Sequence, residues 1–225
     1  MNVLNKPNLD YFTGQVYNKS RDGDLMKHEV TSMNTKKMLA ASLKKFMEIK
    51  PFSKITVKEL TDDCSLNRKT FYYHFEDTQQ LLKWIFEQEA IFIVSEFDML
   101  NNYEKAINYI LNYIDENKHI LNCAYDSIGR DELKRFISYD FNGIVNKFIK
   151  EMEDTIDAHI DDSYRSFICS FYVEALNSII INLIRTTAHY DRQQVIDYLV
   201  LTIKASIPNI LKERSKNLEK KSEFF

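Results

Sequence analysis

Thr56-Val57-Lys58-Glu59-Leu60-Thr61-Asp62-Asp63-Cys64-Ser65-Leu66-Asn67-Arg68-Lys69-Thr70-Phe71-Tyr72-Tyr73-His74-Phe75 is the stretch that decides the fold. Thr56 is suited to cap a helix whose apolar or small positions, Val57, Leu60, Thr61 and Cys64, recur at helical spacing. Ser65-Leu66 leaves room only for a tight turn, after which Asn67 caps a very short helix from Arg68 to about Phe75. Leu60, Cys64, Leu66, Phe71 and Phe75 can share one small core that fixes how the two helices cross. A free-standing helix this short is marginal in water, so it exists because its neighbours hold it.

The opposite face of that short helix carries Arg68, Lys69, Tyr72 and Tyr73. Two helices joined by so tight a turn, the second short and basic, form a helix-turn-helix. Cations neutralise phosphate and tyrosine hydroxyls bond phosphate oxygens, so this outward set points to DNA. Working outward, Thr35 is read as the N-cap of a preceding helix with Leu39, Leu43, Phe46 and Met47 on one face. Lys36, Lys37, Lys44 and Lys45 lie on the others, and Pro51 ends it. Asp77 is expected to cap a longer helix through Leu81, Leu82, Ile85 and Phe86.

Composition agrees with a helical class. Of 225 residues, 44% are hydrophobic and 28% charged, and only 4 are Gly and 3 Pro. Turn-rich β folds and glycine-dependent phosphate loops need far more of both, so the reading is all-α. Charge is uneven: residues 35–80 hold nine basic and six acidic side chains, whereas the chain as a whole carries −3. A basic module on an acidic body suits a nucleic-acid-binding head on a sensing trunk. Cys64, Cys123 and Cys169 are widely spaced with no paired motif and read as small hydrophobes in a reducing, cytoplasmic setting. His28, His74, His119, His159 and His189 are scattered, so no metal is expected. No cofactor fingerprint and no acid–base or nucleophile constellation is visible, which argues against an enzyme. Neither a signal peptide nor a membrane span is expected, the run Ile179–Ile184 being broken by Asn182.

Beyond Glu96 the reading rests on periodicity. Helices are expected at about 102–117, 118–127, 131–158, 162–188 and 191–213, with Asp162 or Ser163 and Asp191 as caps and Pro208 near the last helix end. The segment from Phe167 to Ile184 is apolar around most of its circumference, as in a helix buried on two sides. One side serves its own core. The other, with Phe171, Ala175, Ile179 and Leu183, would join Tyr198, Leu199 and Thr202 of the last helix in pairing with a second copy. An effector pocket between the middle helices would draw on Tyr103, Tyr109, Tyr113, Tyr125, Phe136, Tyr139 and Phe148, with Arg130, Arg135 or His119 to fix an anion. The domain reading is a flexible arm over 1–34, the helix-turn-helix domain over 35–80, a regulatory and dimerisation domain over 81–215, and a frayed tail over 216–225.

The stretch Ile55 to Leu60 and the run Asn67-Arg68-Lys69-Thr70-Phe71-Tyr72-Tyr73-His74-Phe75 resemble the DNA-binding head of TetR/AcrR-type regulators, over about residues 35–90. The resemblance implies a three-helix head on a helical trunk that dimerises through its last two long helices. It also implies DNA contacts at matching positions. Thr35, Lys36 and Lys37 would meet phosphate, Thr56 and Lys58 would lie at the start of the second helix, and Asn67, Arg68 and Lys69 would open the recognition helix. Arg68 could read guanine. Thr70, Tyr72 and His74 would grip the backbone, and Tyr73 would touch bases or sugars. Two departures stand out. Ser65 replaces the usual glycine of the turn, and Thr78 replaces a lysine that would meet phosphate. The Phe-Tyr-Tyr-His-Phe run resembles the subgroup that includes regulators of dihydroxyacetone kinase.

The expected function is a sequence-specific regulator, a repressor by first reading, whose affinity for a double-stranded DNA operator is set by a small-molecule or protein effector on the trunk. An activator of the same fold, and a protein-interaction module that has lost operator binding, are the alternatives.

Overall fold

The computed structural model describes the backbone of residues 22–186 and 191–222, and the side chains of 30–186, Asp140 excepted, and 191–218. The first 21 residues of the expected arm, the 187–190 segment with His189, and the last three residues of the tail lie outside the described residues. The regular structure is helical throughout the described residues: α1 Asp22–Met47, α2 Val57–Asp63, α3 Arg68–His74, α4 Thr78–Phe86, α5 Phe92–Ser95, α6 Met99–Glu116, α7 Lys118–Ile128, α8 Arg130–Ile156, α9 Asp162–Arg185 and α10 Arg192–Ser222.

Local chemistry accounts for most boundaries. The Glu59 N–H donates to Thr56 Oγ1 (3.3 Å) and the Thr56 N–H donates to Glu59 Oε2 (2.9 Å), a reciprocal capping box that starts α2. Asn67 caps α3 and Asp77 caps α4 through single side-chain oxygens. Asp191 accepts from the Gln194 N–H at the start of α10. Three boundaries differ from the sequence expectation. Thr35 is not a cap: it sits inside α1, its hydroxyl donating to the Thr31 carbonyl, one turn back. Asp161, one residue before the expected pair, caps α9 by accepting from the Tyr164 N–H (3.0 Å). Pro208 does not end α10, which runs on to Ser222. The ring removes one backbone donor but does not stop the helix.

A contiguous core of buried side chains runs from Leu39, Leu43 and Met47 through Leu60, Phe71, Phe75, Leu81 and Leu82 into the trunk at Leu121, Leu133, Ile149, Ile168 and Ile184. α8 packs along α9, and α10 packs on α6 and α8. By length and composition α9 could cross a membrane. Here it is the central trunk helix, with Ile168, Val173, Asn177, Ile181 and Ile184 inside. At its start a buried carboxylate organises the corner: Glu153, 5% exposed, accepts from Arg165 Nε (2.8 Å) and from the Ile160 N–H (3.1 Å). Arg214 of α10 reaches the same corner, donating from Nε to Asp161 (2.9 Å).

The described residues divide into two units, one up to Met38 and one from Leu39 onward.

Candidate nucleic-acid interface

Within the larger unit, α2 and α3 are joined by a turn that needs a left-handed residue, and Ser65 supplies it at φ 55°. The turn closes with the Leu66 N–H donating to the Thr61 carbonyl at 2.8 Å. α3 then lies with Phe71 fully buried and Phe75 nearly so, while Tyr72 and Tyr73 are 58% and 69% exposed. Leu60 is also fully buried, with Cys64 and Leu66 half-buried against the same cluster. The small shared core expected from the sequence is therefore present, and it aims the polar face of α3 outward.

On that face Arg68 and Lys69 are exposed and make no ion pair among the described residues, and the same holds for Lys58 on α2. Tyr73 and His74 meet edge-on, with ring centroids 4.9 Å apart. Three expected contact residues are instead engaged in the local fold: Thr56 in the capping box, Asn67 as the cap of α3, and Thr70, whose hydroxyl donates to Asn67 Oδ1 (3.1 Å). Other cations near the motif are also committed. Lys45 pairs with Asp63, and Lys50 with Glu59 at 2.6 Å. Lys50 and the Thr56 N–H and hydroxyl together hold the Glu59 carboxyl well down, at about 2. Thr35, Lys36 and Lys37 lie on α1, in the smaller unit.

The trunk aromatics named from the sequence make several separate local contacts. Tyr109 and Tyr113 converge on Glu89: the Tyr109 hydroxyl donates to the Glu89 carbonyl (2.6 Å) and that of Tyr113 to its carboxylate (3.2 Å). Burial, and the Glu89 charge beside it, push the Tyr113 phenol strongly up. Tyr103 packs on Phe148 and Tyr125 under the Arg185 guanidinium. Phe136 is half-buried, and Tyr139 stands 75% exposed beneath the Lys83 ammonium. His119 lines a shallow cleft with Lys50, Pro51, Cys123 and Asp126. Glu89 itself went unread in the sequence. It lies in a π-helical segment, Glu87–Ile91, whose wider turn no apolar periodicity marks.

The expected pairing face divides. On α9 Phe167 and Phe171 are 63% and 60% exposed, and on α10 Tyr198 and Leu201 are 60% and 64% exposed. Ala175 and Thr202 are exposed beside them, with Ile179 and Leu199 half-buried. Leu183 is 7% exposed and belongs to the chain's own core, because it turns toward the trunk interior one turn after the buried Ile180. A hydrogen bond between Tyr172 and Ser206 (2.7 Å) ties the two helices side by side.

An all-helical chain with a helix-turn-helix and a long-helix trunk defines a class, and comparison narrows it. Residues 101–205 match the TetR-type family described as "Transcriptional regulator C-terminal region". The chain is 25% identical over 148 residues to the HTH-type dhaKLM operon transcriptional activator DhaS of Lactococcus lactis subsp. lactis (strain IL1403), covering 66% of this chain and 78% of that one. It is 28% identical to the Transposon Tn10 TetC protein of Escherichia coli, over 45% of this chain and 59% of that one. In fold it resembles the solved structure of the dihydroxyacetone kinase operon activator DhaS, with TM-score 0.61, 23% identity, and coverage of 79% of this chain and 98% of that one. The chain is therefore similar to transcriptional regulators of the TetR type. Among these it is similar to DhaS in sequence and in fold.

Proposed function

We propose that the chain acts as a homodimer that places two α3 helices in successive major grooves of a near-palindromic DNA operator. The observation that carries this is the outward face of α3, where two cations and two phenols stand exposed over a buried Phe71. Arg68 reads a base edge, Lys58 and Lys69 neutralise phosphate, and Tyr72 bonds the backbone. Tyr73 and His74 lie along the sugar-phosphate wall. Thr35, Lys36 and Lys37 add phosphate contacts at the resembling positions. Thr56, Asn67 and Thr70 position the two helices through their caps.

The second copy covers Phe167, Phe171, Tyr198 and Leu201, apolar area that a monomer would leave in water. Residues 35–80 serve as the operator head and 81–215 as the regulatory and dimerising trunk, in a cytoplasmic protein. An effector on the trunk biases operator affinity by binding two head arrangements unequally. Occlusion of a promoter would give repression. The relative's designation as a transcriptional activator favours a second reading, in which the bound dimer recruits polymerase.

Operator selection with the purified chain, followed by gel shifts across a salt series, tests the binding. A recurrent near-palindrome bound in a salt-dependent way supports it. No shift at low salt on any genomic fragment overturns it in favour of a protein-interaction module. In vitro transcription from the selected site then separates repression from activation.

A further inference from the structure

Glu89 gathers more partners than its neighbours in the segment that leads from the helix-turn-helix into the trunk. Its carboxylate accepts both 3.0 Å and 2.8 Å bonds from Lys44 Nζ, at the end of α1 where Leu43 and Met47 enter the head core. The same carboxylate takes the Tyr113 hydroxyl, and the Glu89 carbonyl takes that of Tyr109, both from α6 of the trunk. The π-helical turn widens the backbone here, with the Phe92 N–H donating to the Glu87 carbonyl five residues back. Such a turn displaces carbonyls from the regular ladder, and the Tyr109 hydroxyl occupies one of them. Tyr113 is 9% exposed, so its hydroxyl has little access to water as a substitute partner.

We propose that Glu89 is a positioning residue, a latch through which α6 of the trunk sets the helix-turn-helix via Lys44. This rests on the operator-binding reading and specifies its regulation. A trunk occupant that displaces the Tyr113 or Tyr109 hydroxyl opens the latch, lets the head sample more orientations, and weakens the grip on DNA. The ligand class that fits is one offering its own hydrogen-bond donor or acceptor to the phenols beside an apolar body, since Ile114 on the same helix is buried in the core and Ile110 packs against that core.

Glu89→Gln and Tyr113→Phe of the full chain test it, the second removing only one oxygen. Hydrogen exchange of α2 and α3 amides should quicken about tenfold in each, the scale of one lost charge-assisted bond, with α8 and α9 amides unchanged. Operator affinity should fall about tenfold with the salt slope unaltered, because Glu89 touches no phosphate. Unchanged head exchange, or equal acceleration in α8 and α9, overturns the latch whether or not DNA binds. Faster head exchange without any operator binding would retain the latch and remove the regulatory reading.

Discussion

Ser65 and Glu59 show how much of the head depends on single side chains. Ser65 is held in the left-handed region at φ 55°, where a Cβ is strained. Relief of that strain should let Ser65→Gly raise stability by about 1 kcal/mol, and Ser65→Val should lower it by at least as much. Chemical denaturation followed through Trp84, the single tryptophan, would read both changes, because its ring meets Phe75 of the head core at 5.8 Å. Glu59 adds a pH dependence. Its carboxyl is lowered from 4.5 to about 2 by Lys50 first and then by Thr56. A carboxylate depressed on folding contributes stability that is fully present above the unfolded value. That contribution is lost as pH falls from about 4.5 toward 2. The wild-type head should therefore lose stability across that window more steeply than Glu59→Gln, with Trp84 fluorescence in an acid titration as the measure. Parallel titrations would rule Glu59 out as a source.

At the scale of the element, α3 divides its residues between holding and reading. Asn67→Ala should cost about 1 kcal/mol of stability by removing the cap. Arg68→Ala should leave stability alone, cost about 1–3 kcal/mol at the selected operator, and relax preference at one base position. Tyr72→Phe should weaken all sequences alike, and a loss confined to one position would contradict its backbone role. These elements were legible because each carries a cap and a short apolar pattern: Thr56, Asn67 and Asp77 all cap where the sequence placed them. The start of α1 was not legible. Residues from Asp22 to Asn34 contain Gly23 and no amphipathic stripe, and Thr35 looks like a cap although it lies mid-helix. Pro208 misled for the opposite reason, since a ring tolerated inside a helix has the same sequence signature as one that ends it. The π-segment at Glu89 and the partners of the trunk aromatics depend on long-range packing. Neither leaves a local pattern.

For the whole molecule, charge and assembly can be tested in one measurement. The formal charge near the motif overstates what is available to DNA, because Lys44, Lys45 and Lys50 are committed to Glu89, Asp63 and Glu59. Lys58 and Lys69 carry no such pair among the described residues, and each should release a counterion on binding. Lys58→Ala should therefore shrink the slope of log affinity against log salt by about 2 per dimer, at roughly 0.9 per phosphate, whereas Lys45→Ala should leave it near the wild-type value. Assembly enters through the same slope. Phe171 is 60% exposed in the single chain, so Phe171→Glu should barely affect its folding, yet it sets a charge in the proposed contact between copies. Sedimentation should show a monomer for that variant where the wild type is a dimer, and the salt slope should fall to about half as one head replaces two. A variant that stays dimeric with an unchanged slope would move the interface elsewhere. The exposed Phe167, Tyr198 and Leu201 would then need another partner.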